Sequence, residues 1–421
     1  MVLVLGIACL GIACTASAAA WVYLLLFHGE YWRTRQRLPG ASGTGFSGTD
    51  WPAVIAVVPA RNEAEMLPVT LPALLSQDYP GAFRVTLVDD GSTDGTGAVA
   101  GKIAESLAAA GNRVPLTVVP GRPRPEGWAG KVWAMEQGLA ASGDAGSDVL
   151  AGTTADAGAG GYVLFTDADI EWAPGALRDL VTAAEADDRA LVSQMALLRA
   201  EAGWEKIVVP AFVYFFAQLF PFKRVNDPRS RVAAGAGGCM LIRRLALAKA
   251  GGLERIKGAL IDDVALGTLL KRDGNRCWLG MTSDIRSVRP YPRLADLWHM
   301  IARSAYVQLG YSPVVLAGTV LGLLFLYAAP PAGLVTWVVA ALAGSGLAGP
   351  VAVAGVAGLA GTLAMAGSYL PMLRFYRLSL LRAPSLPLIA VLYTGMTIDS
   401  ARRHYSGRVV SWRGRPAEKT D

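Results

Sequence analysis

Charge is scarce in this chain: 17% of its 421 residues are Asp, Glu, Lys or Arg, against 53% that are hydrophobic. That balance is too apolar for an ordinary soluble enzyme and excludes a simple water-soluble globule. Metal-ligating side chains are scarcer still. The four cysteines, Cys9, Cys14, Cys239 and Cys277, are scattered without ligand spacing, so they read as small buried hydrophobes and not as a zinc site or disulfide partners. The three histidines, His28, His299 and His404, flank apolar segments and form no cluster, which suits interface residues better than catalysts. No internal repeat and no nucleic-acid recognition motif is visible, so the net charge of +6, with its Arg-rich flanks, points to an anionic membrane surface and not to nucleic acid.

The apolar excess lies at the two ends. Residues 2–27 form an uncharged run long enough to cross a bilayer. Ala16-Ser17-Ala18 resembles a signal-peptide cleavage site, but no basic segment precedes the run, which continues through Trp21 to Phe27 before Arg33, Arg35 and Arg37. The expectation is an uncleaved anchor whose basic flank places the central part of the chain in the cytoplasm. Residues 312–370 are almost free of charge and are punctuated by Pro330-Pro331 and Gly349-Pro350, which suggests up to three spans; 385–398 would add a short or re-entrant one. With no ionisable residue to line a pore, a transporter is disfavoured. Arg374, Arg377 and Arg382 ask to be cytoplasmic, as do Arg402, Arg403 and the tail from Arg408, and these demands conflict with a full span between them. Four spans and five both remain open. The expected division is an anchor over 1–30, a cytoplasmic domain over 50–300, a membrane domain over 301–400 and a basic cytoplasmic tail over 401–421. The Gly/Ala/Asp/Thr-rich stretch 140–161 reads as a flexible surface insertion without chemistry.

Between the apolar ends, short β-branched runs stop at polar loops. Val54-Ile55-Ala56-Val57-Val58 leads into Pro59-Ala60-Arg61-Asn62-Glu63, and Val85-Thr86-Leu87-Val88 leads into Asp89-Asp90-Gly91-Ser92-Thr93-Asp94-Gly95-Thr96. Tyr162-Val163-Leu164-Phe165 delivers Thr166-Asp167-Ala168-Asp169 to a strand end. Helical stretches over 67–76 and 97–110 separate them, so the pattern is βαβ and the fold class α/β with a mainly parallel sheet, whose ligands gather beyond the carboxyl ends of the strands. A hard divalent cation such as Mg²⁺ or Mn²⁺ is often bound by one or two carboxylates with substrate phosphates completing its shell, and Asp-x-Asp suits that task. Alone, the pair is equally a turn or a helix cap.

These segments, with Gly130-Lys131 opening a helix, resemble the family 2 glycosyltransferases of the nucleotide-diphospho-sugar transferase (GT-A) fold in order and spacing over about 54–303. The membrane flanks, Ala234-Gly235-Ala236-Gly237-Gly238-Cys239-Met240 and Ile261-Asp262-Asp263-Val264-Ala265-Leu266-Gly267 look like the hopene-associated glycosyltransferases of bacterial hopanoid biosynthesis. The resemblance implies a bacterial inner-membrane, multi-pass enzyme with its catalytic domain in the cytoplasm. Its donor would be a nucleotide diphosphate sugar, UDP-linked, and its acceptor a lipid hydroxyl of a hopanoid or other polyisoprenoid. Transfer to polyprenyl phosphate, a carotenoid or a glycerolipid, or an inactive scaffold, stay as alternatives. Donor binding would fall to Pro59, Ala60, Arg61, Glu63, Asp89, Asp90, Lys131 and Asp167, and the metal to Asp167 and Asp169. The catalytic base would be Asp263, with Asp262 beside it.

The residues themselves leave choices. Asp262 and Asp263 precede Val264, Leu266, Leu269 and Leu270 and so open a helix, where a carboxylate either caps or works as a base. Gly237 and Gly238 either make a tight turn into a strand or let backbone approach the donor or acceptor. The Gln-x-x-Arg-Trp motif of processive family 2 synthases is missing, and Arg303 either clamps a phosphate in its place or sits on an interfacial helix. Residues 207–222, apolar and aromatic, are either a headgroup-level element in which Phe212, Tyr214, Phe215 and Phe216 guide a lipid, or a buried core helix.

Overall fold

The computed structural model describes residues 2–39, 50–144, 161–344, 348–407, 411–412 and 415–416. Most of the expected insertion, and the tail after 407 apart from 411–412 and 415–416, lie outside the described residues. In chain order the elements are α1 (Val2–Phe27), β1 (Val54–Ala60), α2 (Leu67–Leu75), β2 (Phe83–Asp89), α3 (Thr96–Ala109), β3 (Leu116–Pro120), α4 (Gly130–Asp144), β4 (Tyr162–Phe165), β5 (Ile170–Trp172), α5 (Ala176–Ala186), β6 (Leu191–Leu197), α6 (Glu205–Leu219), β7 (Met240–Arg243), α7 (Asp262–Arg272), β8 (Cys277–Ser287), α8 (Leu294–Gln308), α9 (Pro313–Leu323), α10 (Ala329–Leu342), α11 (Pro350–Phe375) and α12 (Leu386–Tyr405). They divide between two compact units: Met1–Thr34, Ala200–Lys223 and Tyr291–Arg408 form one, and Arg35–Arg199, Arg224–Pro290 and Val409–Asp421 the other.

The second unit is built on an eight-stranded sheet in the order β3-β2-β1-β4-β7-β6-β8-β5. β1 is buried at every position, as a strand covered on both faces must be. Its side chains alternate between two cores: Val54, Ala56 and Val58 meet Leu67 and Leu71 of α2 and Leu177 and Leu180 of α5, while Ile55 and Val57 meet Val132 and Met135 of α4. Pro59 is tolerated inside β1 because the pairing with β4 ends at Val57, so no ladder bond is lost where the ring replaces the N–H. Both Pro59 and Ala60 therefore belong to the strand and not to the loop after it.

The sheet is mixed and not purely parallel: four of its seven pairings are parallel, β6 with β8 among them, and three are antiparallel. β3, β2, β1 and β4 run parallel, but β7 is antiparallel to both β4 and β6, and β5 is antiparallel to β8. The apolar runs that advertise the sheet lie in its parallel half. The other half contains a three-residue strand, β5, and a partly exposed one, β8, whose partners are set by long-range pairing. The reversal has a use. Because Phe165 pairs with Met240, the glycine-rich turn before β7 lies where β4 ends, and because Ile170 pairs with Ser287, the end of β8 lies beside Asp169.

Among the described residues of the first unit four helices are long and apolar enough to cross a membrane: Leu5–Phe27, Pro313–Leu342, Pro350–Phe375 and Leu380–Tyr405. The charge-free stretch 312–370 thus supplies two such helices and not three, because Pro330 and Pro331 stand in the first turn of α10, and a π turn over Leu324–Ala328 joins α9 to it without a break. The 385–398 stretch belongs to a full-length helix. Small residues let α1, α10 and α11 approach closely: a Cβ on Gly358 would meet the Pro330 carbonyl oxygen at 2.5 Å, and the Cys14 thiol reaches the Ala329 carbonyl at 3.2 Å. Residues 207–219 belong to the partly buried helix α6 in this unit, with Tyr214 hydrogen-bonded to Tyr31 at 3.0 Å and to Ser368 at 2.6 Å. At another place α8 and α12 are joined: the Tyr306 N–H donates to Ser400 Oγ at 3.0 Å, the Tyr306 and Tyr405 hydroxyls lie 2.8 Å apart, and Trp298 Nε1 donates to Asp399 at 2.8 Å.

Candidate active site

The carboxyl ends of β1, β2 and β4 define the crevice, and β1 is the strand at which the chain order of the sheet reverses, where α/β sheets open a ligand cleft. Two loops form one wall. Asp89 accepts from the N–H groups of Ser92 at 3.0 Å and Gly97 at 3.1 Å, so both its oxygens are spent on folding the loop and the start of α3. Asp90, 1% exposed, has its N–H on the Ala60 carbonyl at 2.9 Å and its carboxylate 3.8 Å from the Arg61 guanidinium, which also donates to the Asp90 and Gly91 carbonyls. Asn62 takes a left-handed conformation (φ 53°) and bonds Ser92 and Thr93, and the Glu63 N–H donates to Thr96 Oγ1 at 2.9 Å. The Asp-Gly-Ser-Thr-Asp-Gly-Thr segment is thereby bolted to the loop after β1. Pro59 and Ala60 contribute backbone only.

The other wall is acidic. Lys131, the second residue of α4, places its ammonium 2.8 Å from Asp167 and 3.0 Å from Asp262. Burial works against that charge, but Asp167 and Asp262 outweigh it and hold the ammonium well above its usual value. The Asp167 carboxyl is raised by burial and by its neighbours Asp169 and Asp262, with Lys131 opposing. Asp262 and Asp263 occupy the first turn of α7, whose N-cap is Ile261 without a side-chain cap bond. Asp263 accepts from the Gly237 N–H at 2.9 Å and from the Val264 N–H at 2.8 Å; burial first, and then Asp262, push its carboxyl up to about 6. Gly237 leaves little room for a side chain, since a Cβ there would lie 3.1 Å from Lys131 Nζ and 3.5 Å from Asp263 Oδ2. Gly238 packs against Ile170 and belongs to the turn.

Asp169 carries two donors on one oxygen: the Ser287 hydroxyl at 2.8 Å and Arg289 Nε at 3.0 Å. Arg289 also donates to both oxygens of Glu63, at 2.8 and 2.6 Å. Ser287 and Arg289 form no motif, and the only sequence signal for them is their place at the end of a strand just before Pro290. Arg303 is on α8, in the other compact unit, and exposed. Cys239 and Cys277 are free, buried thiols pushed up to about 12 by burial, so neither is a nucleophile or a ligand.

Asp167 and Asp169 have the donor set for a hard cation. Each spends one carboxylate oxygen on a protein cation, and the other oxygen carries no protein hydrogen bond among the described residues. No group of three or more His, Cys, Asp or Glu that would cage a metal unaided exists among the described residues. The crowding of Asp167, Asp169, Asp262 and Asp263 favours added positive charge.

Residues 55–251 match the family profile described as glycosyl transferase family 2. An N-acetylglucosaminyltransferase of Mesorhizobium japonicum is 43% identical over 58 residues, a match that spans 14% of this chain and 14% of that protein's length. Among solved structures, the mannosyltransferase PcManGT of Pyrobaculum calidifontis, in complex with GDP-Man and Mn²⁺, is 20% identical with a TM-score of 0.50, covering 92% of this chain and 98% of its own. Residues 1–349 of S. aureus TarS, in complex with UDP, are 15% identical with a TM-score of 0.34, covering 85% and 93%. The second unit thus has a GT-A-like fold on a mixed sheet, and residues 55–251 of it are similar to the glycosyl transferase family 2 profile.

Proposed function

We propose that the protein is a membrane-bound inverting glycosyltransferase that moves one sugar from a nucleotide diphosphate sugar, UDP-linked, to the hydroxyl of a polyisoprenoid lipid of the hopanoid type at the cytoplasmic face. The observation that carries this reading is the acidic cluster at the end of β4, where Asp167, with Asp169 beside it, meets Lys131 and the Asp262-Asp263 pair. Four helices of membrane-crossing length and composition in the same chain support a lipid acceptor over a soluble one.

In this reading the loops after β1 and β2 hold the nucleoside, with Arg61, Glu63 and Asp90 facing it. Asp167 and Asp169 would hold a Mg²⁺ or Mn²⁺ ion together with donor phosphate oxygens, and the bound ion neutralises the charge of the departing diphosphate. Lys131 adds a second positive charge there and pairs with Asp262 beside it. Asp263 accepts the proton of the attacking hydroxyl: the Gly237 and Val264 N–H groups fix its carboxylate, and its raised pKa makes it a stronger base than an ordinary aspartate. The hydroxyl then attacks the anomeric carbon as the bond to the diphosphate breaks, with inversion.

The test is binding and transfer by the detergent-purified full chain. UDP and GDP are both offered, since the solved mannosyltransferase holds a GDP sugar. Mn²⁺-dependent UDP binding that Asp169→Ala abolishes while the fold is retained is the expected result, and near-parental transfer without Asp169 would remove the metal assignment. The acceptor is read by lipid mass spectrometry of a deletion strain: a sugar-bearing hopanoid that disappears supports the acceptor, and an unchanged lipid profile refutes it.

A further inference from the structure

Arg289 lies outside every motif of the sequence, yet it ties together two loops of the crevice. It holds Glu63 of the loop after β1 through both carboxylate oxygens, and Asp169 of the turn after β4 through Oδ2. The guanidinium side chain is 17% exposed between carboxylates that are 8% and 14% exposed, so these are largely desolvated, charge-assisted bonds of the strong kind. Lys131 stands on Asp167 in a similar way but is shared with Asp262. Arg289 is thus the cation that joins the Asp-x-Asp turn to Glu63.

We propose that Arg289 is a latch, a positioning residue that occupies Asp169 while no nucleotide is bound and lets go when a nucleotide engages Glu63. The inference rests on the reading above that assigns Asp169 to a divalent cation and Glu63 to the nucleoside. A guanidinium and a divalent cation compete for the same carboxylate. The bidentate bond to Glu63 couples that competition to the nucleotide: whatever engages Glu63 loosens the anchor that aims Arg289 at Asp169, and the cation then binds more tightly. The coupling is reciprocal, so the cation also tightens the nucleotide. The released guanidinium stays within reach of the crevice, where a diphosphate is a natural bidentate partner for it. A site latched about nine-tenths of the time shows an apparent cation affinity lowered roughly tenfold.

The test titrates Mn²⁺ into the detergent-purified full chain and follows the free ion by electron paramagnetic resonance, with and without UDP. Wild-type protein is expected to bind Mn²⁺ weakly alone and about tenfold more tightly with UDP. Arg289→Gln is expected to bind Mn²⁺ without UDP about as tightly as the wild type does with it, so that UDP brings no further gain. Because Arg289→Gln strands a buried carboxylate, the double variant Glu63→Gln/Arg289→Gln removes both charges together and is read for Mn²⁺ binding alone, with the same expected gain. A merely structural Arg289 would leave Mn²⁺ affinity unchanged or lower it, and that result in either folded variant overturns the latch. If wild-type protein binds Mn²⁺ neither alone nor with UDP or GDP, the cation assignment falls and the latch falls with it; if it binds and the variants show no gain, the latch alone is lost.

Discussion

Asp263 illustrates how one side chain is built for two tasks. Both of its oxygens accept backbone N–H groups, from Gly237 and from Val264, so it is structural as well as placed for proton transfer. Its raised pKa gives the proposal a pH signature. kcat/KM, which reports the free enzyme, should fall tenfold per pH unit below about 6, where the carboxyl is protonated and has lost its basic form. In the interval between the ordinary carboxylate value and about 6 the folded state binds the proton more tightly than the unfolded chain, so this group also makes the domain lose stability as pH rises through that interval. Asp263→Asn should cut turnover by roughly 10²–10⁴ and abolish the acid limb. The amide accepts with one oxygen only, so one N–H loses its partner at a cost of about 1–3 kcal/mol. Melting temperature is therefore expected to drop, and the deciding readouts are UDP affinity, which should persist, and the pH profile. A variant with a near-normal rate returns Asp263 to a structural role.

At the scale of elements, two glycines separate chemistry from packing. A Cβ on Gly267 of α7 would press on the backbone of Ala234, at 2.6 Å from its carbonyl carbon, which has nowhere to go. Gly267→Ala should therefore destabilise the domain by about 1–3 kcal/mol, visible as a lower melting temperature. The Cβ of Gly237→Ala meets chiefly the mobile end of Lys131, at 3.1 Å. That variant should melt almost normally yet turn over up to about a hundredfold more slowly, because the ammonium and the base are displaced together; equal effects of both variants on stability would argue against the distinction. The same elements show what the sequence makes legible. β1, β2 and β4 announce themselves by unbroken apolar runs, and the acidic residues come after them because strand ends are where the chain meets solvent. Arg289 and the antiparallel strands are not legible, since their significance depends on partners distant in the chain and no local pattern encodes those pairings. Pro59 and Ala60 look like loop residues because proline is rare in a strand, and only the early end of the β4 pairing makes room for one.

For the whole molecule, the proposed cytoplasmic site makes a claim about sidedness. A reporter fused after Arg37 should behave as cytoplasmic, and a periplasmic signal there would overturn the orientation drawn from Arg33, Arg35 and Arg37. The bond between Tyr306 and the pair Ser400 and Tyr405 extends the claim to the far end of the chain. Ser400 and Tyr405 stand at the C-terminal end of the Leu380–Tyr405 helix; if that end lies at the membrane surface where Tyr306 lies, the chain between them traverses the bilayer an even number of times, or not at all. Three helices of sufficient length lie in that interval, Pro313–Leu342, Pro350–Phe375 and Leu380–Tyr405, and three is odd. On that condition one of them turns back at the surface it started from, and we propose that it is α12, with the lowest mean hydropathy of the three at 1.2 and with Asp399, Arg402 and Arg403 in its last turns. In that arrangement its arginines would face the cytoplasm together with Arg374 and Arg382, the two demands would no longer collide, and the crossings would number three. Reporters placed after Arg37 and after Gly407 should give the same signal, and opposite signals would mean that α12 crosses.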